Sequence, residues 1–217
     1  MAKTQDGLIL IDKPAGMTSF DVIRVLRKRL GIRKMGHAGT LDPRATGLLI
    51  IGVNEGTKKL TALVGLPKVY DAEILLGIAT DSGDLDGKVV DEKPVPPLVE
   101  SAVRDAVLAM KGEHDLAVSL YSAIKKDGKP LYKYAREGIA VEQPVRHMVV
   151  RNALFYGYDA ATNVVRASFD VSSGTYVRSL AEELGKRLGT VATLKELRRV
   201  SIGEHGEYHV ENAMTVA

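Results

Sequence analysis

The sequence contains no cysteine and no tryptophan, and aromatic residues make up only 5% of its 217 residues. The absence of cysteine excludes thiol catalysis, disulfide bonds and thiolate metal sites. No apolar run reaches the roughly 18–20 residues that a membrane-spanning helix needs, since the run that starts at Leu48 ends at Asn54. Residues 1–6 lack the basic start and apolar centre of a secretory signal. These absences predict a cytoplasmic protein without a membrane partner.

Sequence patterns for common cofactors are missing too. Neither Gly-x-x-x-x-Gly-Lys-Ser/Thr nor Gly-x-Gly-x-x-Gly occurs, and the five histidines show no metal-ligand spacing. Residues 80–87 have the Asp and Gly content of a calcium loop, but Lys93 stands where that loop requires a glutamate. We therefore expect no metal ion and no nucleotide cofactor.

The net charge is only +3, yet the charges are segregated along the chain. Residues 22–60 carry nine basic and two acidic side chains, residues 71–116 carry four basic and eleven acidic ones, and residues 121–151 carry seven basic and three acidic ones. Such segregation predicts one positive face, which favours nucleic acid as a partner. Solvated helix faces are the alternative interpretation of each single cluster.

Residues 36–47 (GHAGTLDPRATG) surround one carboxylate, Asp42, with three glycines, two threonines and a proline. The apolar run that follows predicts a buried strand. Pro43 fixes its own φ and restricts Asp42 to extended geometry, so the carboxylate is held in a shaped loop. An ordinary Asp-Pro turn is the alternative for this dipeptide alone.

Periodicity predicts the other elements. Residues 7–14 form a strand, and a helix capped by Thr18 or Ser19 follows, with an apolar face. A second helix starts after the proline-rich residues 94–97. Residues 149–158 and 163–171 form an antiparallel pair, and residues 172–175 cap a third long helix. A strand-like tail runs from Val200. The apolar faces of the three helices consist of Phe20, Ile23, Leu26 and Leu30; Val99, Val103, Val107 and Met110; and Val177, Leu180, Ala181, Leu184 and Leu188.

Residues 121–138 interleave lysines with three tyrosines. Aromatic rings among cations are suited to irregular or single-stranded RNA, whose bases stack and whose phosphates pair with cations. Arg178 lies in the first turn of the third long helix, where the helix dipole disfavours a cation, so we expect it to have an anionic partner.

These stretches together resemble the TruB family of tRNA pseudouridine synthases. The matches occur in order at residues 7–19 (GLILIDKPAGMTS), 36–47, 56–58, 68–70, 80–87, 121–123, 128–138, 174–180 (GTYVRSL) and 197–199. The resemblance implies an α+β pseudouridine synthase fold, with a mixed, mainly antiparallel central sheet flanked by helices. It implies one catalytic domain over residues 1–217, with an inserted RNA-gripping segment at about 116–146. The implied activity is the isomerisation of uridine to pseudouridine in tRNA, at position 55 in the T arm, without a cofactor.

The same resemblance implies the site residues. Asp42 would act as a nucleophile at the sugar C1′ or assist glycal formation. Tyr70 would stack on the target uracil and could also serve in proton transfer, and Arg178 would pair with Asp42. His37 would enter the RNA loop and occupy the place of the flipped base. Further RNA contacts would come from Lys13 and Lys58 on phosphates, from Arg44, and from Tyr176 and Leu197 in the base pocket.

Two departures from the family pattern are visible. Residues 116–120 (LAVSL) replace the usual Gln- and Pro-containing approach to Tyr121. The sequence ends soon after residues 197–199, so we expect no C-terminal RNA-binding domain of the PUA type, and weaker, less salt-sensitive tRNA binding. We expect a monomer. The alternatives are a tRNA-folding chaperone, in which binding dominates over turnover, and a synthase for another RNA target.

Overall fold

A computed structural model describes residues 7–216, so the interpretation of residues 1–6 concerns a segment outside the described residues. Among the described residues, no helix is both long and apolar enough to cross a membrane. The chain divides into two compact units. The first comprises the residues up to Asp71 together with those from Glu196 onward, and the second is Ala72–Lys195.

The secondary structure is dominated by strands. In chain order the strands are β1 (Gly7–Lys13), β2 (Met35–His37), β3 (Thr46–Val53), β4 (Lys68–Leu76), β5 (Ile78–Thr80), β6 (Val89–Glu92), β7 (Gly112–Ala117), β8 (Lys125–Lys126), β9 (Lys129–Pro130), β10 (Val145–Asp159), β11 (Val164–Val171), β12 (Ala192–Ile202), β13 (Tyr208–His209) and β14 (Met214–Thr215). The α-helices are α1 (Ser19–Leu30), α2 (Leu60–Gly65), α3 (Glu100–Leu108), α4 (Leu131–Arg136) and α5 (Val177–Arg187), and 3-10 helices lie at Asn54–Lys59 and Val210–Asn212.

In the first unit, β1 pairs antiparallel with β3 and parallel with β14, while β3 also pairs antiparallel with β2 and parallel with β12. Nearly every residue of β3 is buried. One core cluster combines the apolar side chains of β1 and β3 with those of α1. In the second unit, β10 pairs antiparallel with β11 and with β7. The sheet is thus mixed and mainly antiparallel, as the resemblance implied.

Helix α1 begins and ends as its sequence predicts. Thr18 and Asp21 form a capping box, in which the Asp21 amide donates to the Thr18 hydroxyl and the Thr18 amide donates to the Asp21 carboxylate. Gly31 ends the helix with φ +67°. The predicted apolar face was partly wrong, because Phe20 and Leu30 are 52% and 39% exposed. Val22 is buried in their place, and the Arg27 guanidinium lies over the Phe20 ring.

Other boundaries differ from the prediction. The stretch 172–175 does not cap α5, whose N-cap is Tyr176 without a side-chain hydrogen bond. The Ser172 hydroxyl instead accepts from the Val149 amide of β10. Val99 is 66% exposed and precedes α3. The tail strand was predicted from Val200, but β12 begins at Ala192. The apolar stripe predicted for α5 is fully buried.

Candidate active site

Residues 36–47, called the loop 36–47 below, comprise the end of β2, the connection 38–45 and the start of β3. Hydrogen bonds of the backbone hold this loop on several sides. The Ala38 amide donates to the Ile50 carbonyl at 2.9 Å, and the Leu41 amide donates to the Ser19 hydroxyl at 2.9 Å. The Gly16 amide donates to the Pro43 carbonyl at 2.9 Å. Asp42, between these anchors, is half-buried. The carboxylate is therefore presented by a fixed backbone.

Lys13 is one of the anchors of this loop. Its side chain is fully buried, and its ammonium donates to the carbonyls of Pro14, Met17 and Pro43 at 2.9, 2.7 and 3.1 Å. Burial lowers the pKa of Lys13 to about 8, the neighbouring Asp42 carboxylate acts in the opposite direction, and the Arg199 charge lowers it further. A buried ammonium with three carbonyl acceptors has no exposed surface, which argues against the expected phosphate contact of Lys13.

Arg199 is the second anchor, and the sequence interpretation gave it no role. It is 1% exposed; its Nε donates to the Leu48 carbonyl at 2.7 Å and its Nη2 to the Gly39 carbonyl at 3.1 Å. Gly47 has φ +98°, and a Cβ there would lie 2.3 Å from the Arg199 carbonyl oxygen. Glycine is therefore required where β3 and β12 meet. The family match at residues 197–199 was the signal that could have pointed to Arg199. In the sequence, however, a buried arginine cannot be distinguished from a surface cation.

Two further ionisable groups lie under or beside the loop. The ammonium of Lys68 donates to the carbonyls of Val64 and Leu66, and burial, followed by the Arg199 charge, lowers its pKa to about 8. Burial is also the main reason why the pKa of His37 lies below its ordinary value, and the Arg199 charge adds to this. His37 is half-buried at the end of β2. Its ring is thus neutral at pH 7, which suits stacking on a base.

The other candidates of the first unit lie at or near the surface, with one exception. Lys58 is exposed and shares the Glu55 carboxylate with Lys34. Arg44 is paired with Glu196 at 3.4 Å. Leu197 is half-buried in β12, and its carbonyl accepts from Thr46 at 3.5 Å. The exception is Tyr70 in β4, which is 8% exposed.

Arg178 and Tyr176 belong to the second unit. Arg178 is 5% exposed, and its Nη1 donates to the Ser82 carbonyl at 2.7 Å while its Nη2 donates to the Tyr121 carbonyl at 3.1 Å. The Asp84 carboxylate lies 3.8 Å from Nη1. Arg178 therefore has an anionic neighbour in its own unit, as its place in the first turn of α5 predicted. Tyr176 is half-buried at the N-cap of α5.

The inserted segment comprises β8, β9, α4 and the chain that leads into β10. Its groove of about 570 Å³ is lined by apolar side chains such as Ile124 and Leu131 and by the cations Lys125, Lys126 and Arg146. Cation–π contacts occur at two of its tyrosine rings: the Lys129 ammonium lies over Tyr134, and the Arg136 guanidinium lies over Tyr132. Within residues 7–216, no group of three or more histidine or carboxylate side chains is arranged to hold a metal ion.

The chain belongs to a known family of RNA-modifying enzymes. Residues 27–177 match the model described as TruB family pseudouridylate synthase (N terminal domain). The chain is 42% identical over 211 residues to tRNA pseudouridine synthase B of Aromatoleum aromaticum and 43% identical over 197 residues to that of Endomicrobium trichonymphae. These matches cover 97% and 91% of this chain, and 67% and 85% of the relatives. The chain spans 65% of the relative from an Azoarcus species.

Solved structures agree on the fold. A structure titled "Crystal Structure of a Cbf5-Nop10-Gar1 Complex" contains a chain that matches with a TM-score of 0.73 at 26% identity. A structure of an H/ACA RNP bound to a substrate RNA matches with 0.71 at 25% identity. Each match covers 98% of this chain and about half of the other chain, 53% and 51%. The predicted α+β pseudouridine synthase fold is confirmed.

Proposed function

We propose that the protein converts uridine to pseudouridine in tRNA, at position 55 in the T arm, without a cofactor. The observation that carries the proposal is the loop 36–47, which presents half-buried Asp42 on a backbone anchored by Lys13 and Arg199. Membership of the TruB family and the names of the relatives support the reaction and the substrate class. A pre-set carboxylate suits a reaction that breaks and remakes a glycosidic bond, because its geometry need not be found anew at each turnover.

We assign the chemical steps to three residues. Asp42 attacks C1′ or assists glycal formation as the bond between C1′ and uracil N1 breaks. The base then turns, and C5 bonds to C1′ in place of the Asp42 ester or the glycal. The proton on C5 is lost, and N1 takes up a proton. Tyr70 stacks on the uracil. Arg178 pairs with Asp42 and keeps it ionised in a site from which RNA excludes water. The pairing of Asp42 with Arg178 joins residues of different units and stays a prediction.

RNA binding falls to other residues. A base in a folded loop must be flipped out before it reacts, which costs a few kcal/mol. His37, a neutral ring, fills the vacated place; Tyr176 and Leu197 line the pocket. Lys58, Arg44 and the inserted segment 116–146 contact the RNA backbone. We revise the role of Lys13 from phosphate contact to support of the Asp42 loop. We propose that residues 1–217 act as one catalytic domain, as a monomer, in the cytoplasm where tRNA is available.

A guide-RNA-selected target and a pure folding chaperone are the rival functions. The structural neighbours from H/ACA complexes are 25–26% identical to this chain, whereas relatives named for tRNA are 42–43% identical. This difference favours a tRNA substrate. A chaperone role requires binding and flipping without turnover, and it leaves the anchoring of Asp42 without a purpose.

The test is incubation with unmodified tRNA, followed by chemical mapping of pseudouridine through reverse-transcription stops. We expect a stop at position 55, and none with a transcript that has cytidine there. Asp42→Asn should form no product, whereas Asp91→Asn, which alters an exposed aspartate paired with Lys93, should act as the native chain does. Native protein without product would overturn the enzymatic function, and product from Asp42→Asn would remove Asp42 from its role.

A further inference from the structure

The side chains of Asp81 and Tyr121 meet beside Arg178 in the second unit. The Tyr121 hydroxyl donates to Asp81 Oδ2 at 3.2 Å, and the Tyr121 carbonyl accepts from Arg178 Nη2 at 3.1 Å. We propose that Asp81 and Tyr121 are positioning residues, which fix the direction of Arg178 and couple it to the inserted segment. The proposal rests on the role of Arg178 in the proposed function.

Arg178 has two backbone acceptors, in addition to the Asp84 carboxylate at 3.8 Å from its Nη1. Its two terminal nitrogens donate to the carbonyls of Ser82 and Tyr121, so two separate stretches of chain set the plane of the guanidinium. A guanidinium is a planar fork, and its use in a bidentate pair depends on that plane. A shift of either carbonyl would therefore turn the group that is to meet the catalytic carboxylate.

Asp81 holds both stretches. Its Oδ1 accepts from the Lys88 amide at 2.9 Å, and its own amide donates to the Lys88 carbonyl, which closes the turn that contains Ser82. Gly87 approaches so closely that a Cβ there would lie 2.4 Å from Asp81 Oδ1 and 2.3 Å from the Ser82 hydroxyl. The other carboxylate oxygen of Asp81, Oδ2, accepts a hydrogen bond from the Tyr121 hydroxyl. One carboxylate is thus hydrogen-bonded to both stretches of chain whose carbonyls orient Arg178.

Tyr121 is held a second time from its backbone. Its amide donates to the Ser119 hydroxyl at 3.1 Å, and that hydroxyl donates to the Asp81 carbonyl at 3.4 Å. Burial, followed by the Asp81 charge, raises the pKa of Tyr121, so the phenol keeps the proton that it donates.

Tyr121 also marks the beginning of the groove-bearing part of the inserted segment. Ile124 and Leu131 line the groove, and the Leu131 amide donates to the Ile124 carbonyl at 2.8 Å. RNA that seats this segment would therefore reinforce the position of the Tyr121 carbonyl. Part of the free energy of RNA binding at the inserted segment is in this way used to align Arg178. This alignment raises the rate constant of the chemical step more than the affinity for tRNA.

The experiment is single-turnover pseudouridine formation at saturating tRNA by Tyr121→Phe, which keeps the ring and removes the donor. We expect the rate constant to fall about tenfold, with the dissociation constant of tRNA changed by less than about twofold. Tyr158→Phe is the matched control, because its hydroxyl donates to Asn163 in the β10–β11 turn, and it should match the native rate. An unchanged rate in Tyr121→Phe would overturn the proposal.

Two double-variant comparisons separate positioning from a general structural role. Asp81→Ala with Tyr121→Phe should lose no more than Asp81→Ala alone, since both changes break the same hydrogen bond. In an Arg178→Lys background, Tyr121→Phe should add less than about a twofold loss. Losses that multiply with Arg178→Lys would show that Tyr121 acts independently of Arg178 and would contradict the proposal.

A measurement that does not depend on enzymatic activity tests this inference separately from the proposed function. Exchange of the Arg178 guanidinium protons, followed by NMR on the free protein, should be several-fold faster in Tyr121→Phe than in the native chain and unchanged in Tyr158→Phe. Equal exchange in all three would overturn the positioning role even if the enzyme is active. Faster exchange in a protein that forms no pseudouridine would support the positioning and leave the proposed function overturned.

Discussion

The loop 36–47 and the inserted segment 116–146 depend on cations in opposite ways. The loop contains one cation, Arg44, and is anchored by cations from elsewhere in the chain, whereas the inserted segment itself contains four lysines and two arginines. The cations that anchor the loop, Lys13 and Arg199, lie outside it in the sequence. Both are buried and donate to backbone carbonyls of the loop.

In the inserted segment, five of the six cations are exposed. Half-buried Lys129 lies over the Tyr134 ring and pairs with Glu137, and exposed Arg136 lies over the Tyr132 ring.

The difference shows how burial decides what a cation does. A buried ammonium or guanidinium loses its hydration, so it must be met by fixed acceptors, and it then fixes those acceptors in return. An exposed cation keeps its water and can exchange one partner for another at little cost. The loop therefore holds one geometry. The cations of the inserted segment can exchange their present partners for the phosphates of the proposed RNA substrate.

The largest expected effect contrasts two glycines with positive φ. Gly47→Ala should lower the free energy of unfolding by more than about 3 kcal/mol, because the new Cβ would clash with the Arg199 backbone at 2.3 Å. Gly128→Ala in the inserted segment meets no atom within 4 Å and should cost only about 1 kcal/mol of backbone strain. Denaturant titration of both variants is the measurement, and equal losses would break the comparison.

The second contrast is between two lysines, Lys13 beneath the loop and Lys129 in the inserted segment. Lys13→Met should reduce kcat about 10- to 100-fold with KM nearly unchanged, because the Pro43 carbonyl and its neighbours lose their donor and Asp42 loses a nearby positive charge. Lys129→Met should leave kcat within about twofold and raise KM, since a partly exposed cation contributes to RNA binding. Steady-state kinetics on the same tRNA transcript tests the split. A Lys13→Met variant that changes KM alone would contradict the support role.

A third prediction concerns stability against pH. The pKa of Lys68 in the folded protein, about 8, lies below its ordinary value of 10.5, so the folded protein releases the proton first as the pH rises. Between these values the unfolded chain binds more protons, and the free energy of unfolding therefore increases with pH, by up to about 3 kcal/mol. Below about pH 8 this gain is absent.

Comparison with Lys68→Met isolates that contribution. The difference in unfolding free energy between native protein and Lys68→Met should grow from pH 8 to 10.5, while the difference between native protein and Lys125→Met, which changes an exposed side chain, should stay constant. Denaturant titrations at several pH values measure both. A native-minus-variant difference that falls with pH would show that burial does not depress the Lys68 pKa.

The sequence predicted the loop well because its constraints are local. Pro43 and the glycines of residues 36–47 restrict the backbone whatever surrounds them, and the capping box of Thr18 and Asp21 is a local pattern too. The long-range anchors could not be predicted this way. Arg199 reaches the loop from about 160 positions later, and no periodicity distinguishes a buried arginine from an exposed one.

The same limit explains what the sequence could not show about Lys13 and β12. Lys13 is the last residue of β1 and precedes a proline, where a lysine is ordinarily exposed, and only the tertiary placement of Pro43 buries it. The first half of β12 holds Lys195, Glu196 and Arg198, whose charges mask the strand pattern. Those charges find partners in Glu73, Arg44 and Asp12. Charged side chains that form ion pairs thus interrupt the apolar alternation from which a strand is predicted.

The smallest effect should come from a single cation of the inserted segment. Lys126→Ala removes one exposed charge from the groove of about 570 Å³, so tRNA binding should weaken by a few-fold and kcat should not change. The slope of log affinity against log salt should become shallower by about 0.7–0.9, the release of one counterion. Lys13→Met removes a charge as well, but a buried one, and should leave the slope as it is. A slope that changes equally in both variants would mean that the two regions do not divide support and RNA contact between them.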